Sequence, residues 1–139
     1  MKDLPNPEHP GDAIVVRTDF SDEAAWARLR NEIETLFGEC GVYVSFVSDP
    51  DFDGLDISTL TSLGQRHPYC GCLFVVDRVS LTDVEHPILV LDLGEEPERP
   101  FRVIPREMKS IADNLAIANM DFCEFADSAD ADGVFRGFH

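Results

Sequence analysis

Apolar residues follow two spacings along the chain, and each spacing predicts one type of element. Short, nearly uninterrupted apolar runs predict five β-strands, at 13–17, 42–47, 73–76, 88–93 and 101–104. Apolar residues at helical spacing, with Asp or Ser in front of them, predict helices at about 21–37, 57–63, 108–116 and 121–126. The predicted order is therefore β-α-β-α-β-β-β-α-α.

The lengths of the connections predict how these strands pair. The first β-α-β unit has room for a helical crossover and should be parallel. Only Ser80 to Pro87 separates the third and fourth strands, which is too short for such a crossover, and the loop 94–100 suits a hairpin. We therefore expect an α+β fold with an α/β-like start, in which helices pack on a mixed five-stranded sheet. We expect residues 1–12 to form an irregular lead-in and residues 13–139 to form a single globular domain.

Charge narrows the classes of function. The 139 residues carry 27 Asp and Glu against 11 Lys and Arg, a formal net charge of −16. Such a surface repels phosphate, so we expect neither a nucleic-acid partner nor an anionic membrane partner. An apolar content of 44% is typical of a globular protein rather than a disordered one. With no apolar run of membrane-spanning length and no export signal in the first residues, we expect a cytoplasmic protein.

The negative charge is clustered in two blocks that contain no cation. The first block is 49–56, with Asp49, Asp51, Asp53 and Asp56; the second is 121–132, with Asp121, Glu124 and Asp127 as its main candidates for contact. Adaptation to salt or genome composition explains such acidity without a function. The functional alternative is a non-enzymatic binding or regulatory domain that neutralises a basic protein, as immunity-type proteins do. Glu95, Glu96 and Glu98, on the predicted hairpin tip, are expected to carry background charge only.

Two groups of carboxylates also suggest a metal. Asp49 to Gly54 reproduces the start of an EF-hand loop, but the twelfth position is Leu60 rather than Glu, which favours an acidic turn. Asp19 and Asp77 follow the first and third predicted strands, where α/β sheets gather their sites. If the strands are parallel neighbours, Asp19, Asp22 and Asp77 are weak candidates for a Mg²⁺ site. A small Mg²⁺-dependent enzyme is therefore the alternative function.

Other chemistry has little support in the sequence. His67, Cys70 and Cys72 offer zinc-type ligands at a non-standard spacing, so we expect reduced structural cysteines and no cofactor. No Gly-x-Ser-x-Gly or His-Glu-x-x-His motif is present, and we assign no catalytic residue.

Polar residues in the last third are further candidates for recognition. Asn119 and Arg136 are the main ones, with Asn119 suited to a left-handed helix cap before Asp121. Arg17, Arg78, Arg102 and Arg136 are expected to pair with carboxylates at strand ends.

Six stretches of the chain resemble a known protein family. They are Val16–Asp22, Leu73–Arg78, His86–Val90, Phe101–Pro105, Ile117–Phe122 and Asp132–Phe138. The sequence is similar to an uncharacterised family of small acidic bacterial proteins, classed as a domain of unknown function. The resemblance spans nearly the whole chain and implies a self-contained single domain, but it assigns no catalytic residue.

Overall fold

A computed structural model describes residues 2–7, 9, 11–67 and 71–138. In this part of the chain there are six strands: Ala13–Arg17 (β1), Val44–Val47 (β2), Cys72–Val76 (β3), Ile88–Asp92 (β4), Phe101–Val103 (β5) and Val134–Phe135 (β6). The same residues form five α-helices: Glu23–Phe37 (α1), Ile57–Gln65 (α2), Arg78–Thr82 (α3), Pro105–Ala116 (α4) and Phe122–Asp127 (α5). A short 3-10 helix, Pro50–Phe52, precedes α2.

The strands form one mixed sheet in the order β2-β1-β3-β4-β5-β6. β1 is parallel to β2 and β3, β4 is antiparallel to β3 and β5, and β6 is parallel to β5. The last residues of β1, β2 and β3 therefore lie at one end of the strands, which we call the carboxyl edge. The opposite end, where β1 and β3 begin and β4 finishes, is the amino edge.

The predicted mixed α/β architecture is confirmed, but the prediction of five strands is wrong by one. β6 spans two residues, too few for an apolar run to show in the sequence. It is held by long-range bonds, from the Arg102 N–H to the Gly133 carbonyl and from the Ile104 N–H to the Phe135 carbonyl. The single-turn helix α3 was also absent from the predicted order. It begins where Asp77 accepts a hydrogen bond from the Ser80 N–H, a local capping signal rather than an apolar pattern.

The first helix shows how its side chains set its limits. Asp22 caps α1 by accepting a hydrogen bond from the Ala25 N–H at 3.0 Å, so the helix begins at Glu23 and not at about residue 21 as predicted. The helix ends at Gly38, whose φ of 61° lies in the region that favours glycine. Its apolar stripe, which includes Trp26, faces the sheet.

The sheet buries side chains on both faces, and the two faces are covered unequally. On one face, Val15, Phe74 and Val90 belong to the larger core with apolar residues of α1, α4 and α5. On the other, the smaller core is covered mainly by α2 and the 3-10 helix. α2 approaches closely because Gly64 has no side chain: a Cβ there would lie 2.7 Å from the Leu93 side chain. Both faces of the sheet are thus covered by helices.

None of the helices in the described ranges has the length and apolarity needed to cross a membrane.

Candidate functional site

A buried guanidinium closes the carboxyl edge at the end of β1. The Arg17 side chain is only 2% exposed; its Nε donates to the Asp19 carbonyl at 2.9 Å and its Nη2 to Glu23 at 2.8 Å. It also lies 4.2 Å from the ring centroid of Phe20 and 5.1 Å from that of Trp26. The guanidinium thus stacks on aromatic rings and donates hydrogen bonds within the protein. Arg17 therefore has a structural role, which we call the structural pin of the carboxyl edge.

Asp77, the central candidate at this edge, forms a two-point ion pair. Its oxygens accept from Nη1 and Nη2 of Arg102 at 3.0 and 2.7 Å, and Arg102 Nη1 also donates to the Pro87 carbonyl. Burial alone would raise the pKa of Asp77, but the hydrogen bonds from Arg102 and Ser80 outweigh it and hold that pKa below its ordinary value. The carboxylate is therefore ionised and already partnered.

The proposed magnesium ligands each have a separate local role. Asp19 accepts hydrogen bonds from the side chain and backbone of Ser21, which, with the Arg78 guanidinium nearby, lower its pKa. Asp22 caps α1. Within the described ranges, no group of three His, Cys, Asp or Glu side chains is placed to hold a metal ion. The Mg²⁺ hypothesis stays a prediction, and it would require Asp77 to release Arg102.

The acidic block 49–56 also lies at the carboxyl edge, directly after β2. Lys2 contacts Asp49 at 2.5 Å and Asp51 at 3.8 Å, and Asp56 caps α2 through the Thr59 N–H. Asp49 also caps the 3-10 helix. Three of the four carboxylates in this block therefore have partners within the chain, and the calcium hypothesis stays a prediction.

A cleft at the amino edge brings together carboxylates from separate segments of the chain. It encloses about 590 Å³ and is lined by five acidic residues, Asp92, Glu95, Glu96, Glu98 and Asp121. Leu115, Met120 and Phe122 supply apolar surface, and no Lys or Arg is among the lining residues that the structure describes. We call this feature the acidic cleft.

Buried contacts position both walls of the acidic cleft. Asp92 is 6% exposed and accepts from the N–H groups of Gly94 at 3.0 Å and Glu96 at 2.7 Å, which shapes the loop after β4. On the other wall, the ring of Phe122 packs 5.1 Å from that of Phe101, joining the start of α5 to β5. The carboxylates of the loop and of Asp121 thereby face one space.

Little positive charge balances this cleft. Arg99 contacts Glu96 at 3.6 Å and Asp127 at 2.6 Å, whereas Glu95 and Glu98 have no cationic partner among the described residues. The last turn of α4, which reaches the cleft through Leu115, contains no basic residue, so the negative end of its dipole adds to the field. The acidic cleft is therefore a site of concentrated negative potential.

Cys123 lines the acidic cleft, and the negative potential there affects the pKa of its thiol. Burial, followed by the charges of Glu96, Asp121 and Asp127, raises the pKa of Cys123.

We expect iodoacetamide at pH 8 to alkylate Cys123 about tenfold more slowly than exposed Cys40, measured residue by residue by mass spectrometry. Glu96→Gln should raise the rate at Cys123 about twofold. An unchanged rate in that variant, with Cys40 as the internal control, would contradict the assigned potential.

The other candidates in and just before the second block each have a hydrogen-bond partner within the chain. Glu124 accepts a hydrogen bond from the Asp121 N–H, which forms part of a capping box at the start of α5, and Asp127 is held by Arg99. Asn119 donates to the Asn114 side chain at 2.9 Å. The left-handed residue is Ala118, at φ 54°, and not Asn119 as expected. Its placement lets the chain turn between α4 and α5.

Arg136 lies at the carboxyl edge, after β6, and not at the acidic cleft. It contacts Glu85 at 2.7 Å, Asp130 at 2.8 Å and Asp132 at 2.7 Å, and these carboxylates raise its pKa. With three carboxylates around one guanidinium, the residue ties β6 to the segment before β4. The expected pairing of arginines with carboxylates at strand ends is thus confirmed for Arg17, Arg102 and Arg136.

The zinc hypothesis falls partly outside the described residues, because Cys70 does. His67 is buried, and neither of its ring nitrogens has a hydrogen-bond partner among the residues that the structure describes. Cys72 lies at the start of β3, opposite Asp92 in the sheet register. Cys40 and Cys123 are free thiols.

The mixed six-stranded sheet with helices on both faces places the protein in the mixed α/β class, and comparison with solved structures agrees. A prolyl-tRNA synthetase from Cryptosporidium parvum, crystallised with L-proline and AMP, is similar with a TM-score of 0.56 and 13% identity. The match covers 77% of this chain but 21% of the synthetase, so it shows a shared fold alone. No curated protein matches the chain significantly. Residues 12–138 match DUF6924, a domain of unknown function, and the chain belongs to this family.

Proposed function

We propose that the protein is a binding or regulatory domain whose acidic cleft takes a basic segment of a partner protein. The observation that carries this proposal is the convergence of five carboxylates from separate segments on one cleft whose described lining includes no cation. Charges spread over a surface mainly attract partners, whereas a concave site also fixes where a cation comes to rest.

The position of the two acidic blocks favours the cleft as the contact. Block 49–56 follows β2 at the carboxyl edge, while Asp121 lies in the cleft at the amino edge. The five residues of β3 separate these edges by about 16 Å, at roughly 3.3 Å per residue, which exceeds the screening length of about 8 Å at physiological salt. The charges at each edge therefore attract a basic segment independently of those at the other edge. Block 49–56 attracts it less strongly, because Lys2 already neutralises part of its charge.

An immunity-type role follows if the basic segment belongs to an enzyme's active site. When this segment lies in the acidic cleft, the cationic groups of the enzyme are covered. Its anionic substrate can then no longer reach them. A Mg²⁺-dependent enzyme is the alternative function. The contacts of Asp77 support an ion pair with Arg102 rather than a metal site, and no contact of Asp19 favours the alternative.

Neutralising the cleft should weaken binding of a basic peptide far more than neutralising the carboxyl edge. The measurement is the fluorescence anisotropy of dye-labelled hexalysine in 150 mM salt. For Glu95→Gln/Glu96→Gln/Glu98→Gln we expect the Kd to rise at least about tenfold, because three charges at one site act within the screening length.

The matched control is Asp49→Asn/Asp51→Asn/Asp53→Asn, which removes the same number of charges at the other edge. We expect it to change the Kd by less than about twofold. Equal weakening by the two triple variants would show that hexalysine responds to net charge alone, and the proposal would then be rejected.

A further inference from the structure

A second, less polar cavity adjoins the acidic cleft along the amino edge. It encloses about 250 Å³ and shares Gly71 and Leu115 with the cleft. Its walls come from the start of β1, the start of β3 and the last turns of α4, and its apolar members are Ala13, Val42, Phe74, Ala112, Leu115 and Ala116. Val42 and Leu115 remain partly exposed at the border of the larger core. We call this feature the apolar pocket.

The charged groups divide unequally between the two spaces. The acidic cleft has five carboxylates in its lining, whereas the apolar pocket has Asp12 alone, and the described lining of both includes no Lys or Arg. Asp12 is engaged locally, since its carboxylate accepts hydrogen bonds from the His9 N–H at 3.1 Å and the Ser45 hydroxyl at 2.9 Å. The acidic cleft and the apolar pocket together, which we call the groove, therefore present an apolar position beside a strongly anionic one.

Gly71 and Leu115 lie at the boundary that the two cavities share. Among the described residues other than its two chain neighbours, no atom lies within 4 Å of a Cβ built on Gly71. Gly71 itself therefore places no side chain between a segment bound in the acidic cleft and the apolar pocket.

Resting on the proposed function, we infer that the bound segment carries one aliphatic side chain beside its cations. The cations occupy the acidic cleft, and the aliphatic group enters the apolar pocket. Charge complementarity identifies the occupant as a basic segment of another protein, because a second copy of this chain would bring a net charge of −16 to an anionic groove. A polyamine matches the charge but has no apolar side chain to bury.

Two peptides of equal charge test this inference, Lys-Lys-Leu-Lys-Lys and Lys-Lys-Ser-Lys-Lys, both measured by isothermal titration calorimetry in 150 mM salt. Burial of a leucine side chain should make the first bind about tenfold more tightly. A ratio within about twofold would overturn the inference.

Blocking the apolar pocket should remove the advantage of the leucine peptide. Ala116 is exposed on α4 and lines the apolar pocket, so Ala116→Trp is expected to bring the two Kd values within about twofold of each other. Gly71→Leu, at the boundary that the two cavities share, should have the same effect if the tryptophan variant folds poorly. Ala27→Trp, at an exposed site on α1, is the matched control and should preserve the tenfold ratio.

The outcomes separate this inference from the proposed function. If the two peptides bind equally and both weaken in Glu95→Gln/Glu96→Gln/Glu98→Gln, the acidic cleft stands and the apolar anchor is wrong. If neither peptide responds to that triple variant, the proposed function fails. A leucine advantage that persists in both Ala116→Trp and Gly71→Leu places the apolar contact elsewhere and overturns the inference.

Discussion

Arg17→Met is expected to lower the free energy of unfolding by about 3 kcal/mol, as for the loss of a well-packed buried side chain with its hydrogen bonds. Methionine fills part of the volume beside Phe20 and Trp26, but it cannot donate to the Asp19 carbonyl or to Glu23. The measurement is chemical denaturation followed by tryptophan fluorescence, since Trp26 packs against the replaced group.

Arg28→Met is the control for this change. Arg28 is exposed on α1, and its replacement should alter stability by less than about 0.5 kcal/mol. If the two variants were equally stable, the Arg17 guanidinium would be a tolerated group rather than a structural pin.

Breaking the Asp77–Arg102 pair is expected to have the second largest effect. Asp77→Asn and Arg102→Met should each cost about 2 kcal/mol, because each leaves a partly buried charge or a helix cap without its partner. In a double-mutant cycle the double variant should cost about 2 kcal/mol less than the sum of the two single variants. Additive losses would show that the two-point contact does not couple these residues.

The same pair predicts a dependence on pH. The pKa of Asp77 is lowered in the folded protein, so its stabilising contribution is present above the ordinary pKa of about 3.9 and is lost as pH falls through the folded value. The stability gap between the unaltered protein and Asp77→Asn should therefore be constant above about pH 5 and shrink below about pH 4. A gap at Asp77 that widened in acid would contradict the assignment.

The elements that could be predicted from the sequence are those with a strong local pattern. The run 13–17 is apolar on both sides because β1 is buried on both faces, and α1 shows its stripe because that stripe alone meets the sheet. β6 and α3 leave no such pattern, since each is held by contacts with distant or capping residues. The Arg136 contacts, which reach back to Glu85, are of that long-range kind.

The candidate site could be predicted only in pieces. The charge pattern predicts Asp121 as a contact, whereas it predicts Glu95, Glu96 and Glu98 as background charge on a hairpin tip. Packing of Phe101 against Phe122 brings these two segments together, and no periodicity along the chain encodes which aromatic rings will meet. Asp77 was correctly expected at the carboxyl edge, because strand ends follow from topology.

Unequal covering of the two sheet faces has a consequence for the groove. α4 and α5 belong to the larger core, while the nine-residue α2 is the main cover of the smaller one. Fewer buried neighbours protect the amide protons of α2 than protect those of α4. The amide protons of α2 should therefore exchange with solvent faster. Local opening on the α2 side leaves the walls of the groove in place. A partner of the kind proposed above would then meet a preorganised surface and lose little affinity to ordering it.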